Sequence, residues 1–119
     1  MAYGLTARVK SDWLNITDSP SDTRIDNFIE AADRLIDSIL VQYASVPLAS
    51  PADEVKRLSE QWAAGLFLQA DAKNMDDFRR GRALAKSAKE GIESYGGRLK
   101  YDRQVVETTE YATEPLSSE

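Results

Sequence analysis

The sequence contains no cysteine and no histidine among its 119 residues. Without cysteine there is no disulfide framework and no thiolate metal site. Without histidine the chain lacks the commonest general base and the commonest transition-metal ligand. No apolar run approaches the length of a membrane span, and the N-terminal MAYGLTARVK lacks the form of a signal peptide. We therefore expect a soluble protein that is made in a cytoplasm and has no membrane contact.

Charged residues are plentiful but unevenly distributed. The net charge of −5 argues against wholesale nucleic-acid binding. Residues 1–72 hold six basic and eleven acidic side chains, residues 73–103 hold nine and five, and residues 104–119 hold none and four. Hydrophobic residues make up 42%, enough for one globular domain to bury a core. A change of sign along so short a chain predicts surfaces that meet other surfaces.

Hydrophobic spacing and capping residues predict four helices within residues 1–97. The first helix is short and has Thr6 as its N-cap. The second runs from about Ser21 to Tyr43, and its apolar residues recur at steps of three and four positions. Those residues are Ile25, Phe28, Ile29, Ala32, Leu35, Ile36, Ile39, Leu40 and Tyr43.

The third helix, at about residues 51–72, is apolar on every side in its middle, WAAGLFL, which is typical of a helix surrounded by others. Gly65 within it predicts close helix packing. The fourth helix, at about residues 75–95, is expected to end at Gly96 in a left-handed C-cap. Trp13 is expected to anchor the core from the first helix. The centre of the bundle is predicted to consist of Phe28, Leu35, Ile36, Trp62, Leu66 and Ile92.

A different pattern follows the glycine pair Gly96 and Gly97. In LKYDRQVVETTEY, β-branched and aromatic residues are frequent and partly alternate with polar ones, which predicts an extended arm. A lone strand has nothing to pair with in a helical body, so the arm should bind another chain. Its binding residues are predicted to be Arg98, Leu99, Tyr101, Arg103, Val105, Val106 and Tyr111. The predicted fold is therefore all-α, a small four-helix bundle over residues 1–97 with an extended C-terminal arm over residues 98–119.

Two charged stripes are predicted to lie opposite the apolar faces of their helices. The acidic stripe of the second helix consists of Asp26, Glu30, Asp33 and Asp37. The basic stripe of the fourth helix consists of Arg79, Arg82, Lys86 and Lys89. A solvated or partner-facing edge is the preferred interpretation of the acidic stripe. For the basic stripe, a solvated face and a protein-binding face are equally favoured. Nucleic-acid contact comes third because no recognition-helix motif or aromatic platform accompanies the stripe.

Catalytic motifs are missing from the sequence. No serine or threonine has a plausible base, and there is no glycine-rich phosphate loop. One enzyme alternative is a metal-dependent phosphohydrolase that uses Glu30, Asp33 and Asp37, because paired carboxylates on a helix can bind divalent cations. Such sites face a bundle interior and take ligands from more than one helix, whereas this stripe is predicted to face outward. We expect no enzymatic activity, no bound metal and no cofactor.

A short helix, LTARVKSDWLNIT, is followed by SDTRIDNFIEAADRLIDSIL, by an apolar helix with a tryptophan and by a basic helix. This order of elements resembles the head–tail connector, or adaptor, family of tailed phages and related viruses. The resemblance covers about residues 3–95 and is one of hydrophobic spacing and turn chemistry. It departs from the family in the loop LVQYASVPLAS, where many members have a glycine–arginine–x–phenylalanine turn. The matching positions are Val9, Lys10, Trp13, Leu14, Ile16, Asp22, Ile25, Ile29, Ala32, Ile36 and Asp37.

The resemblance implies a structural virion protein at the neck, the head–tail junction, assembled in the host cytoplasm. Such adaptors form a homo-oligomeric ring, commonly of twelve subunits, beneath the portal protein. The ring extends the channel through which DNA passes without sequence-specific binding. It also docks the next neck, head-completion or tail protein. The C-terminal segment often reaches the portal, which implies that the arm binds the portal or a neighbouring subunit. In such a ring, the acidic and basic stripes are suited to form the subunit interface.

A different class of protein also fits the sequence. A cytoplasmic helical regulator or protein-interaction module, such as a dimer with tails paired across its interface, has the same composition and helix pattern. The molecular mass of the purified protein would distinguish a two-fold dimer from a ring.

Overall fold

The computed structural model describes residues 3–14, 22–48 and 51–118, with side chains as far as Tyr101. Helix α1 (Thr6–Arg8) continues directly into a π-helical segment (Val9–Leu14). Three long helices follow, α2 (Asp22–Leu40), α3 (Asp53–Ala70) and α4 (Met75–Ser118). No strand is present in these described ranges. The predicted all-α fold, a small helical bundle, is confirmed.

Helix α3 lies at the centre of the bundle. It packs extensively against α4 and also against α2 and the π-helical segment. The buried apolar residues of α2 come from the positions that the three- and four-residue spacing predicts. Among the predicted central residues, Ile36 and Ile92 are fully buried and Trp62 is 6% exposed. The complete buried apolar set is Tyr3, Val9, Leu14, Ile25, Ile29, Ala32, Ile36, Leu40, Val55, Trp62, Ala63, Ala64, Ala88 and Ile92.

Three other predicted core residues lie nearer the surface. Leu35 is 40% exposed, so its assignment to the centre is wrong. Phe28 and Leu66 are only partly buried, although both pack against the core. The ring of Phe28 contacts that of Phe67 edge to face, with 5.9 Å between centroids. These side chains lie at the border of the apolar face of their helices, where a small rotation of a helix decides exposure.

Glycine and alanine allow α3 and α4 to approach closely. A Cβ atom built on Gly65 would lie 2.7 Å from the carbonyl oxygen of Gly81 and 2.8 Å from the backbone nitrogen of Ala85. A Cβ on Gly81 would lie 2.7 Å from the carbonyl oxygen of Gly65. Each glycine therefore faces the backbone of the opposite helix, and the close packing predicted from Gly65 is confirmed.

The predicted end of the fourth helix at Gly96 is wrong. Helix α4 continues through Gly96 and Gly97 to Ser118, and no described glycine has a positive φ. A Cβ atom on Gly96 would lie 2.5 Å from Cδ2 of Tyr43, so the ring occupies the space that a side chain would need. Gly96 therefore provides room for Tyr43 instead of a helix stop. The extended conformation expected for residues 98–119 is wrong over residues 98–118, whose backbone is helical.

Helix starts also differ from the predictions. Leu5 is the N-cap of α1 and Thr6 is its first residue, without a side-chain cap hydrogen bond. Helix α3 has Ala52 at its N-cap and begins at Asp53. The residues that precede α2 lie outside the described ranges. None of the helices in the described ranges combines the length and hydropathy needed to span a bilayer.

Candidate interaction surfaces

One member of the acidic stripe, Asp33, does not face away from the protein as predicted. Asp33 is 8% exposed, and its two carboxylate oxygens accept hydrogen bonds from different parts of the chain. The backbone nitrogen of Tyr3 donates to Oδ2 at 2.9 Å, and Oγ of Ser59 donates to Oδ1 at 2.6 Å. The outward orientation predicted for Asp33 is wrong because the N-terminal segment covers it.

The N-terminal segment also engages two other carboxylates of the acidic stripe. The hydroxyl group of Tyr3 donates to Oδ1 of Asp37 at 2.5 Å and accepts from the backbone nitrogen of Leu48 at 2.8 Å. Burial and the hydrogen bond to Asp37 raise the pKa of Tyr3 to about 12, so the phenol is a neutral donor at ordinary pH. The hydroxyl of Thr6 hydrogen-bonds to Asp26. Three carboxylates of the stripe therefore hold the start of the chain against α2.

Glu60 is a second buried carboxylate that sequence reasoning missed. It lies on α3, is 1% exposed, and accepts a hydrogen bond from the backbone nitrogen of Leu5 at 2.9 Å. Nε of Arg8 lies 3.1 Å from Oε2 of Glu60, an ion-pair distance without hydrogen-bond geometry. The feature of the sequence that could have indicated this burial is the polar pair Ser59 and Glu60, directly before the apolar stretch of α3. Both side chains point towards the N-terminal segment.

Glu30 is the fourth member of the acidic stripe, and it is exposed. The phosphohydrolase alternative required Glu30, Asp33 and Asp37 to converge on one cation. Instead, Asp33 and Asp37 bind donor groups of Tyr3. Within the described residues, no group of three or more acidic side chains is arranged to hold a metal ion.

Burial makes the stability contributed by Asp33 dependent on pH. Loss of hydration raises the pKa of its carboxyl group above 3.8, while the hydrogen bonds from Ser59 and Tyr3 act in the opposite direction. Between 3.8 and the raised value, the folded protein therefore holds more protons at this group than the unfolded chain. The contribution of Asp33 to the free energy of unfolding consequently falls as pH rises through that interval.

Asp33→Asn should reduce this pH dependence, because asparagine resembles the neutral form of the carboxyl group. Its side-chain oxygen can accept from Tyr3 while its amide donates to the hydroxyl of Ser59. We expect stability at neutral pH to be equal to or above that of the wild type. Urea unfolding over a series of pH values measures the effect.

Two matched variants test the explanation for Asp33. Asp33→Ala leaves the backbone nitrogen of Tyr3 without its acceptor and should lower the free energy of unfolding by about 1–3 kcal/mol. Glu30→Gln, on the exposed part of the same stripe, should change little at any pH. An equal response of Asp33→Asn and Asp33→Ala would contradict the hydrogen-bonding role.

The basic stripe lies on the surface of α4 as predicted. All four side chains are exposed, and none forms an ion pair within the part of the chain that the structure describes. By contrast, Arg24 pairs with Asp71 across helices. The stripe therefore presents four positive charges that no described residue of this bundle neutralises by direct pairing. Its residues are Arg79, Arg82, Lys86 and Lys89.

Residues assigned to the arm divide into three groups. Arg98 pairs with Glu54 of α3 and its guanidinium lies 5.8 Å from the ring centroid of Tyr95. Leu99 is partly buried, so both residues contribute to the bundle. Tyr101 is 65% exposed and is the last residue whose side chain is described. The arm residues whose side chains lie outside this description are Arg103, Val105, Val106 and Tyr111.

A cleft of about 460 Å³ lies between the N-terminal elements and α3. Two arginines and two acidic residues line it together with Trp13, which is only partly buried. The backbone oxygen of Trp13 accepts a hydrogen bond from Arg80 at 2.7 Å. Trp13 therefore packs beside the core and borders the cleft. The charged lining residues are Arg8, Asp12, Arg57 and Glu60.

No protein-family model, no curated protein and no solved structure shows significant similarity to this chain.

Proposed function

We propose that this chain is a structural virion protein of the head–tail connector type. It would form a ring beneath the portal, extend the DNA channel and dock the next component of the neck or tail. The proposal rests on the pattern of residues 3–95 that resembles this family and on the helical bundle that those residues form. It assigns the protein a role in assembly, with protein surfaces as its functional sites.

The observation that best supports an assembly role is the basic stripe of α4. Arginine and lysine side chains exposed along one helix face, without ion pairs inside the described bundle, are available to a partner chain. Opposite charges at such an interface mainly determine register and association rate, while apolar contacts supply most of the affinity. Two exposed apolar side chains lie in the first turn of this helix, at Met75 and Phe78, which are 60% and 38% exposed.

The net charge agrees with a channel that lets DNA pass. At −5 the chain repels a polyanion on average, which disfavours retention of the duplex. Such a protein can surround DNA without holding it, provided that its basic side chains face other subunits. The basic stripe is therefore assigned to protein contacts in this proposal.

Attachment to portal-bearing heads tests the function. Full-length protein should sediment with heads that carry a portal and lack a connector. A chain truncated after Tyr101 should lose only the helical signal of residues 102–118 and keep the melting temperature, because it retains the contacts of Arg98 and Leu99. Its attachment should weaken at least about tenfold. Electron microscopy of the complex would show whether the added density is a ring.

Three results would contradict parts of the proposal. Full attachment of the truncated chain would remove the arm from portal binding. Unfolding of the truncated chain would show that residues after Tyr101 stabilise the bundle. If full-length protein fails to attach and forms a two-fold dimer, the regulator or interaction module replaces the connector.

A further inference from the structure

The basic stripe forms no ion pair with the described residues of its own bundle, so it is open to an acidic partner chain. Its four side chains extend from Arg79 to Lys89, roughly 15 Å along the helix axis. All four are exposed and without ion pairs among the described residues. A cluster of like charges on one face is stabilised when opposite charges are brought against it. The partner therefore carries several acidic groups over a comparable length.

The acidic stripe of α2 is a poor partner for a neighbouring molecule. Asp33 is buried beneath the N-terminal segment and accepts hydrogen bonds from Tyr3 and Ser59. Asp37 accepts from the hydroxyl of Tyr3, and Asp26 is bound by a hydroxyl of α1. Withdrawing these carboxylates would leave their donors without acceptors, which costs stability. Asp33 is therefore unavailable to a neighbouring copy, and Asp26 and Asp37 already bind donors within the chain. Glu30 alone among the four is exposed without a hydrogen bond to a described residue.

The C-terminal segment, residues 104–119, supplies acidic groups that meet the requirement. It contains four glutamates and no basic residue. Because α4 is continuous to Ser118, Glu107 lies roughly 27 Å along the axis from Lys89. That separation is about three times the Debye length of roughly 8 Å at physiological salt. The segment therefore does not neutralise the stripe on its own helix. Its acidic residues are Glu107, Glu110, Glu114 and Glu119.

We propose that the acidic C-terminal segment of one copy binds the basic stripe of α4 on a second copy. This inference rests on the proposed ring and names the contact between neighbouring subunits. In the proposed ring the contact repeats from copy to copy, whereas a reciprocal pair of the same contacts would form a two-fold dimer, which the molecular mass distinguishes. A closed ring of such contacts leaves no stripe and no segment unpaired.

A charge exchange between two full-length variants tests the contact. The stripe variant carries Arg79→Glu, Arg82→Glu, Lys86→Glu and Lys89→Glu. The segment variant carries Glu107→Lys, Glu110→Lys, Glu114→Lys and Glu119→Lys. Sedimentation velocity at low and high salt reports association, and circular dichroism shows that each variant is folded.

We expect wild-type protein to associate at low salt and to dissociate at high salt, because exposed ion pairs are screened. Each variant alone should associate about tenfold more weakly or worse. An equimolar mixture of the two should regain association, since every contact then joins opposite charges again. Glu30→Lys on the exposed part of α2 is the control and should leave association unchanged.

Engineered cysteines give a second test, because the chain has none of its own. Ala83→Cys places a thiol on an exposed position between Arg79 and Lys86. Thr113→Cys places one in the acidic segment. A mixture of these two variants should form a disulfide between different copies in higher yield than a mixture of Thr113→Cys with Ser38→Cys, an exposed position on α2.

Several outcomes would overturn the inference. These are wild-type protein that is monomeric at every salt concentration, a segment variant that associates like wild type, and a mixture that does not regain association. A DNA-binding experiment gives a further outcome. If wild-type protein binds duplex DNA, the stripe variant does not, and both variants self-associate normally, then the basic stripe binds DNA phosphates and not a second copy. If the protein self-associates in a charge-dependent way but does not attach to portal-bearing heads, the contact between copies is supported and the proposed connector function is contradicted.

Discussion

Replacing Ile36 with alanine is expected to lower the free energy of unfolding by about 2–5 kcal/mol. Ile36 is fully buried between α2 and its neighbours, so the smaller side chain leaves a cavity as well as losing apolar burial. The adjacent Leu35 is 40% exposed, so replacing it with alanine removes much less buried apolar surface. Leu35→Ala should therefore cost about 1 kcal/mol or less.

Urea unfolding of both variants measures this difference, provided that the denaturant slope stays at the wild-type value. Neighbouring positions with the same substitution provide a matched comparison, since the helix and its solvent are shared. Losses of equal size would contradict the orientation of α2 described here. A larger loss for Leu35→Ala would restore the assignment of Leu35 to the centre.

Replacing Gly65 with alanine is expected to destabilise the bundle although alanine favours a helix. The gain in helix propensity is about 1 kcal/mol, but the new Cβ would lie 2.7 Å from a backbone carbonyl oxygen of α4. A backbone atom moves only if the helix moves, so α3 and α4 must separate along the contact. We expect a net loss of about 1–3 kcal/mol in the free energy of unfolding.

Two further glycines provide the controls for Gly65. Gly97 has nothing within 4 Å of the position of a new Cβ, so Gly97→Ala should be neutral or stabilise by up to about 1 kcal/mol. Gly96→Ala meets the ring of Tyr43, a side chain that can turn, and its cost should lie between the other two. Thermal and urea unfolding of the three variants measure the order of their stabilities. A stabilising Gly65→Ala would show that α3 and α4 are not in close contact.

Helix positions and much of the core follow from the sequence because the pattern that specifies them is local. Three- and four-residue spacing identifies Ile36 and Ile92 as buried without any knowledge of the neighbouring helices. The uneven distribution of charge is equally a property of the sequence, and the exposed basic stripe on α4 was predicted from it. Gly65 was correctly interpreted as a packing position, since a glycine inside an apolar helix has few other roles.

Gly96 shows where local reasoning fails. A glycine followed by a second glycine near the end of an apolar pattern is a common helix stop. Here the helix continues because the reason for the glycine lies elsewhere in the chain, in the ring of Tyr43 at the end of α2. No feature near Gly96 in the sequence specifies that contact.

The burial or exposure of each residue in the acidic stripe was likewise decided by the tertiary structure. The helical pattern was interpreted as placing Asp33 opposite the apolar face of α2, whereas Asp33 lies at the border of that face, beside the buried Ile29 and Ile36. Such a border is exposed or buried according to what packs against it. Tyr3, thirty residues earlier, covers it, and Ser59 of α3 completes its hydrogen bonds. Glu30, only three positions away, stays in solvent. Burial of a carboxylate requires donors from distant segments to converge on it, and that convergence is determined only when the whole chain has folded.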